Sequence, residues 1–105
     1  MENRFVVAFS TAPDAQTAKS IARHLVENRL AACCNIVPGI QSVYAWEGRI
    51  CEDEEWLLII KTHRRCLTRL IREIEKIHPY DVPELVALDI DSGSPNYLNW
   101  MGNYV

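Results

Sequence analysis

The chain has 105 residues, 49% of them hydrophobic and 24% charged, with a net charge of -3 at pH 7. That length buries about two thirds of the unfolded surface, so one domain over residues 1–105 can hold a core without staples, and the composition leaves no reason to expect disorder. An acidic balance repels phosphate backbones and excludes nucleic acid as a partner, and runs such as Trp56–Ile60 fall far short of the roughly 20 apolar residues of a membrane span.

With no apolar leader, the chain reads as cytoplasmic and free of membrane partners. Its four cysteines, Cys33, Cys34, Cys51 and Cys66, lack any C-x-x-C spacing. They are expected as reduced thiols rather than as a zinc knuckle or redox pair.

Arg4–Ser10 is β-rich and predicts a first strand that stops at Thr11-Ala12-Pro13-Asp14. Thr11 and Asp14 have capping-box spacing, and Pro13 is tolerated where first-turn N–H groups lack partners. Ala18, Ile21, Ala22, Leu25 and Val26 then recur at helical spacing to about Arg29, and His24 falls off that stripe towards solvent. From Ala32 two β-prone runs, interrupted at Pro38-Gly39 and reversed at Glu47-Gly48, predict a long hairpin whose return strand spans Ile50–Lys61. Thr62 is expected to cap a second helix with the buried stripe Cys66, Leu67, Leu70, Ile71, Ile74 and Ile77, ended by His78-Pro79. A last strand over Glu84–Ile90 and a short helical tail through Tyr97, Leu98, Trp100 and Met101 complete the chain.

The order β-α-β-β-α-β plus a tail predicts an α+β, ferredoxin-like split sandwich with two helices on one face of an antiparallel sheet. Tyr44, Trp46, Trp56, Trp100 and Tyr104 are more large aromatics than so small a protomer covers. They predict self-association through the hairpin and the tail.

Chemistry concentrates in His78-Pro79-Tyr80-Asp81-Val82-Pro83-Glu84. Each proline drives its predecessor out of the helical region, so the segment leaves the second helix bent or extended. His78 is the leading metal-ligand candidate, imidazole being the commonest transition-metal donor, and a helix C-cap is the competing role. Alternation splits Glu52, Asp53, Glu54 and Glu55 between two faces, which favours a solvated edge or pairing with Arg64 and Arg65 over a cation cage. Trp46, Lys61, Tyr80 and Glu84 are candidates for a cleft between subunits that takes a small anion. The absence of G-x-S-x-G, P-loop and H-E-x-x-H patterns argues against an enzyme.

Leu30-Ala31-Ala32-Cys33, Asn35-Ile36, Gly39-Ile40, Ser42-Val43-Tyr44, Trp46-Glu47-Gly48, Leu57–Thr62, His78–Glu84 and Tyr97-Leu98-Asn99-Trp100 together resemble the CutA divalent-cation-tolerance family over almost the whole chain. The resemblance implies a homotrimer, similar in architecture to PII nitrogen-signalling proteins, and a role in tolerance of copper and other divalent cations without an obligatory cofactor. It also implies a copper site built from a first-strand cysteine and two histidines before the Pro-Tyr. In this sequence those positions carry Ser10, Ile77 and His78, and soft Cu(I) prefers thiolate over hydroxyl. The alternative that the architecture suggests is a PII-like signalling or scaffold trimer with a small ligand or protein partner in its clefts.

Overall fold

Alternating apolar residues in Phe5–Ala12 form strand β1, and the computed structural model, which describes residues 4–105, builds the rest of the fold around it. Helix α1 (Ala15–Glu27), strands β2 (Cys33–Trp46) and β3 (Arg49–His63), helix α2 (Leu67–Ile77), strand β4 (Val86–Asp89) and helix α3 (Pro95–Gly102) follow in order. The four strands make one antiparallel sheet in the order β2-β3-β1-β4, giving the mixed α+β architecture that the sequence pattern predicts.

Ala8 and Ala12 of β1 and Leu58 and Ile60 of β3 sit in one buried cluster with Ile21 and Leu25 of α1 and Leu70 and Ile74 of α2. Small residues on β1 let both helices lie close to the sheet. A second cluster, Phe5, Ala32 and Met101 with Ile90, Leu98 and Val105, seats α3. Elsewhere the sheet presents apolar side chains that no element among the described residues covers: Val7 pairs with Leu88 and Phe9 with Val86, and Leu88 and Val86 are exposed. Cross-strand partners point to one face, so these residues form an uncovered apolar row.

Local chemistry differs from the sequence expectation at both helix starts. Asp14, not Thr11, caps α1, its carboxylate accepting the Thr17 N–H at 2.7 Å, while Thr11 belongs to β1. Thr62 is no cap either. It is fully buried in β3, and its hydroxyl donates to the Leu30 carbonyl at 2.7 Å. The 3₁₀ turn Arg64–Cys66 that precedes α2 is capped by His63, whose Nδ1 accepts the Arg65 N–H. β3 runs two residues beyond the expected end at Lys61, because Val6 and Phe5 of β1 are still there to pair with Thr62 and His63. β4 covers only Val86–Asp89 of the expected Glu84–Ile90, the stretch that pairs with Val6–Phe9 of β1.

α1 ends in a Schellman arrangement, with Leu30 N–H on the Leu25 carbonyl, Arg29 N–H on that of Val26, and Arg29 at φ 57°. His24 does not face solvent alone but meets Glu73 of α2 at 2.7 Å, half-buried. The β2–β3 hairpin closes on Glu47 and Gly48, both at positive φ, the two-residue turn whose twist matches that of the strands. A bulge between Val37 and Ile40, with Gly39 at φ 68°, re-aims the outer half of β2.

Candidate functional site

The β1–β3 ladder ends at the pair Ala12–Trp56, whereas the hairpin continues to Trp46 and Arg49. Beyond that last pair the hairpin overhangs the sheet, and the segment from His78 to Glu84 packs against the overhang. Between the two lies a cavity of about 660 Å³, lined by Thr11, Gln41, Ser42, Val43, Tyr44 and Trp46 on one side and Tyr80, Asp81, Val82 and Glu84 on the other, with Glu55 beside them. Its volume falls in the range of small-molecule sites.

His78 closes α2 and fixes this segment. It is buried, with 7% of its surface exposed, and its own N–H bonds the Ile74 carbonyl. Nδ1 accepts the Tyr80 N–H at 3.1 Å, which leaves Nε2 to carry the proton and donate to the Thr11 carbonyl at 2.7 Å. The imidazole therefore stitches the end of α2 to the end of β1. Its ring also packs on that of Tyr80, with centroids 4.6 Å apart.

Tyr80 then reaches the hairpin, its hydroxyl donating to Glu55 Oε2 at 2.7 Å. Glu55 is the first β3 residue beyond the β1 ladder and is only 7% exposed, a buried carboxylate at the root of the overhang. Burial, the Glu55 hydrogen bond and the Glu55 charge all raise the Tyr80 phenol above its ordinary value, in that order of size. Glu84 has its carboxyl raised too, first by desolvation and then by Glu55. At the outer end, the Tyr44 hydroxyl donates to Asp53, and its phenol is pushed up to about 12, chiefly by that bond. Asp53 and Glu55 thus face one side of β3, as alternation requires. Arg64 and Arg65 do not pair with this acidic run, since Arg64 bonds Asp89 and Arg65 bonds the Val105 carbonyl.

Of the four cleft candidates, Trp46, Tyr80 and Glu84 come together in this one protomer. Lys61 does not join them. It pairs with Val7 and Cys33 in the middle of the sheet, and its ammonium lies 5.7 Å from the centre of the Tyr97 ring. The sequence reading named Glu55, Tyr44 and Asp81 but did not place them in this cleft. Glu55 was detectable as the carboxylate that abuts the apolar run from Trp56, but the length of β1, which decides its burial, was not. Within one protomer the cavity has three carboxylates in its lining and no lysine, arginine or histidine, whereas the anion-binding cleft expected from the sequence lies between subunits.

The inherited copper positions do not assemble a donor set. Ser10 Oγ is buried with no hydrogen-bond partner among the described residues, Ile77 packs against the core, and both nitrogens of His78 are occupied. Among the described residues, no group of three or more histidine, cysteine, aspartate and glutamate side chains is placed to hold a metal ion.

The model of the CutA1 divalent ion tolerance protein family matches residues 6–104. A divalent-cation tolerance protein CutA of Thermus thermophilus is 47% identical over 95 residues, covering 90% of this chain and 92% of that protein. A chloroplastic CutA protein of Arabidopsis thaliana is 48% identical over 93% of this chain but only 54% of its own length, so the chain spans about half of that relative. The crystal structure of CutA1 from Oryza sativa superposes with a TM-score of 0.93 at 43% identity, covering 98% of this chain and 96% of that one. On a match that spans nearly every described residue, the chain belongs to the CutA1 divalent ion tolerance protein family.

Proposed function

We propose that the protein contributes to tolerance of divalent metals, copper among them, as a cytoplasmic homotrimer that binds metal weakly at or between its subunits rather than as a catalyst. The observation that carries this reading is the family match over residues 6–104, together with the divalent-cation tolerance in the name of its Thermus relative. Four free cysteines suit a reducing compartment.

Assembly of ferredoxin-like protomers into a trimer is supported by the uncovered apolar row on β1 and β4 and by the 14-residue outer strand β2, whose far backbone edge is unpaired among the described residues. The stacked rings of Tyr97, Trp100 and Tyr104 add an exposed aromatic ladder on the tail. His78 is the proposed metal contact, and its hydrogen bonds support a low affinity there. To offer Nδ1, the ring must release the Tyr80 N–H, and leaving such a group unpaired costs about 1–3 kcal/mol, or roughly 5- to 150-fold in affinity.

Calorimetric titration of Cu²⁺ and Zn²⁺ into the wild type and His78→Ala tests the metal reading, and light scattering tests the trimer. Equal affinities in the two proteins would remove His78 as a ligand. A monomeric mass would sink the assembly. The second reading, a PII-like signalling or scaffold trimer with a small ligand in its clefts, is favoured by the 660 Å³ cavity, and a wild type silent to both metals would select it.

A further inference from the structure

The helical side of the sheet carries a surplus of positive charge that neither the metal reading nor the cleft uses. Five of the chain's 11 lysines and arginines fall within residues 64–76, against two of its 14 acids, on a protein of net charge -3. Arg64 is taken by Asp89 and Arg65 by the Val105 carbonyl. Arg69 and Arg72, three residues apart and so neighbours on α2, are exposed and enter no ion pair among the described residues.

These two side chains line a hollow of about 280 Å³ that α2 forms with the turn after α1, where Asn28 and Leu30 complete the wall. A helix C-terminus such as that of α1 ordinarily repels anions, because its last carbonyls are bare. Here they are covered. The His24 carbonyl accepts the Asn28 N–H and the Asn28 side-chain amide, the Leu25 carbonyl accepts the Leu30 and Ala31 N–H groups, the Val26 carbonyl that of Arg29, and the Leu30 carbonyl the Thr62 hydroxyl. The single carboxylate of the lining, Glu73, is engaged by His24 Nε2 at 2.7 Å. What the hollow still offers is donors: two guanidinium forks and the second N–H of the Asn28 amide.

α1 and α2 pack on the face of the sheet that bears Ala8, Ala12, Leu58 and Ile60, and strand alternation puts the apolar row of β1 and β4 on the opposite face. An assembly built through that row leaves the hollow on the outside. We propose that the hollow binds a tetrahedral oxyanion of the phosphate class, held by the forks of Arg69 and Arg72 and by the Asn28 amide. A guanidinium grips two oxygens of such an ion at once, which a single point charge does not do. The volume admits phosphate or a small phosphomonoester and falls below the usual range for larger ligands.

The test is an amide NMR titration of the isotope-labelled protein in its native assembly at fixed ionic strength, with inorganic phosphate, with glycerol 3-phosphate, and with chloride as the monovalent control. Saturable shifts centred on Asn28, Leu30, Arg69 and Arg72 are expected with the phosphates and not with chloride, and the tighter of the two phosphates tells a free ion from a phosphorylated metabolite. Arg69→Gln and Arg72→Gln, at exposed positions outside the core, should each weaken binding by roughly 2- to 5-fold and together abolish saturation. Lys19→Gln, which removes the same charge from the exposed side of α1, should leave the affinity unchanged. Absence of saturable shifts, the same shifts with chloride, unchanged affinity in the double variant, or an equal loss in Lys19→Gln would each overturn the proposal. The metal reading stands or falls separately, because it is read from Cu²⁺ and Zn²⁺ on His78→Ala and makes no use of Arg69 or Arg72.

Discussion

Replacing Ser10 with alanine should stabilise the protein, although a buried residue is being truncated. Ser10 is fully buried on the core face of β1, between Ala8 and Ala12, and its hydroxyl has no partner among the described residues. A buried hydroxyl without a hydrogen bond costs about 1–3 kcal/mol in desolvation. Against that, the truncation forfeits the dispersion contacts of one oxygen atom, a few at about 0.1–0.2 kcal/mol each. The balance favours alanine by about 1 kcal/mol. Thr62→Val is the matched control on the same sheet, because its hydroxyl does have a partner, the Leu30 carbonyl at 2.7 Å. That substitution breaks the bond and strands a buried acceptor, so it should cost about 1–2 kcal/mol. Urea unfolding at fixed protein concentration reads both, and with a slope of about 2 kcal/mol/M the midpoint should rise by roughly 0.5 M for Ser10→Ala and fall by at least as much for Thr62→Val. A lower midpoint for Ser10→Ala at unchanged slope would refute the reasoning and mean that the Ser10 hydroxyl is bonded in solution.

Glu84→Gln should be more stable than the wild type at neutral pH and equal to it below pH 4.5. The Glu84 carboxyl is raised in the folded state, so the native protein holds its proton longer and loses stability as pH rises from 4.5 through the raised value; an unfolding series against pH that shows no such crossover counts against the desolvation of Glu84 and its repulsion by Glu55. His63 is shifted down from 6.5, by burial first and then by Arg65 and Arg4, and should titrate below that value when followed by NMR. Since the unfolded chain binds that proton more readily, stability should climb as pH rises from the lowered folded value to 6.5. A midpoint at or above 6.5 would contradict the Nδ1 cap on Arg65. Asp14→Ala should lower the thermal midpoint while Thr11→Val leaves the start of α1 intact, because only Asp14 bonds the Thr17 N–H; amide exchange at Thr17 separates the two. Its carboxyl is lowered mainly by that backbone bond, so the contribution of the cap should fade as acid protonates it.

Periodicity alone determined the order of elements in this protein, since a 3.6-residue stripe ending at Ile77 and a 2-residue alternation through Tyr44 and Trp46 each admit one kind of element. The positive-φ demand of Glu47-Gly48 likewise set the hairpin turn from local chemistry. Side chains whose roles depend on where another strand stops were decided only by the tertiary structure. Thr62 and Thr11 look like caps in the sequence and are ladder residues in the fold, because β1 and β3 pair right across them. Glu55 reads as one of four solvated acids, yet it is buried because β1 ends one pair short of it and Tyr80 arrives to bond its carboxylate. Lys61 and Glu84, both cleft candidates in the sequence, have separate surroundings within the protomer because strand register, which no local pattern encodes, places Lys61 opposite Val7. Burial and partnership are sums over distant segments, and they exist only once the chain has closed on itself.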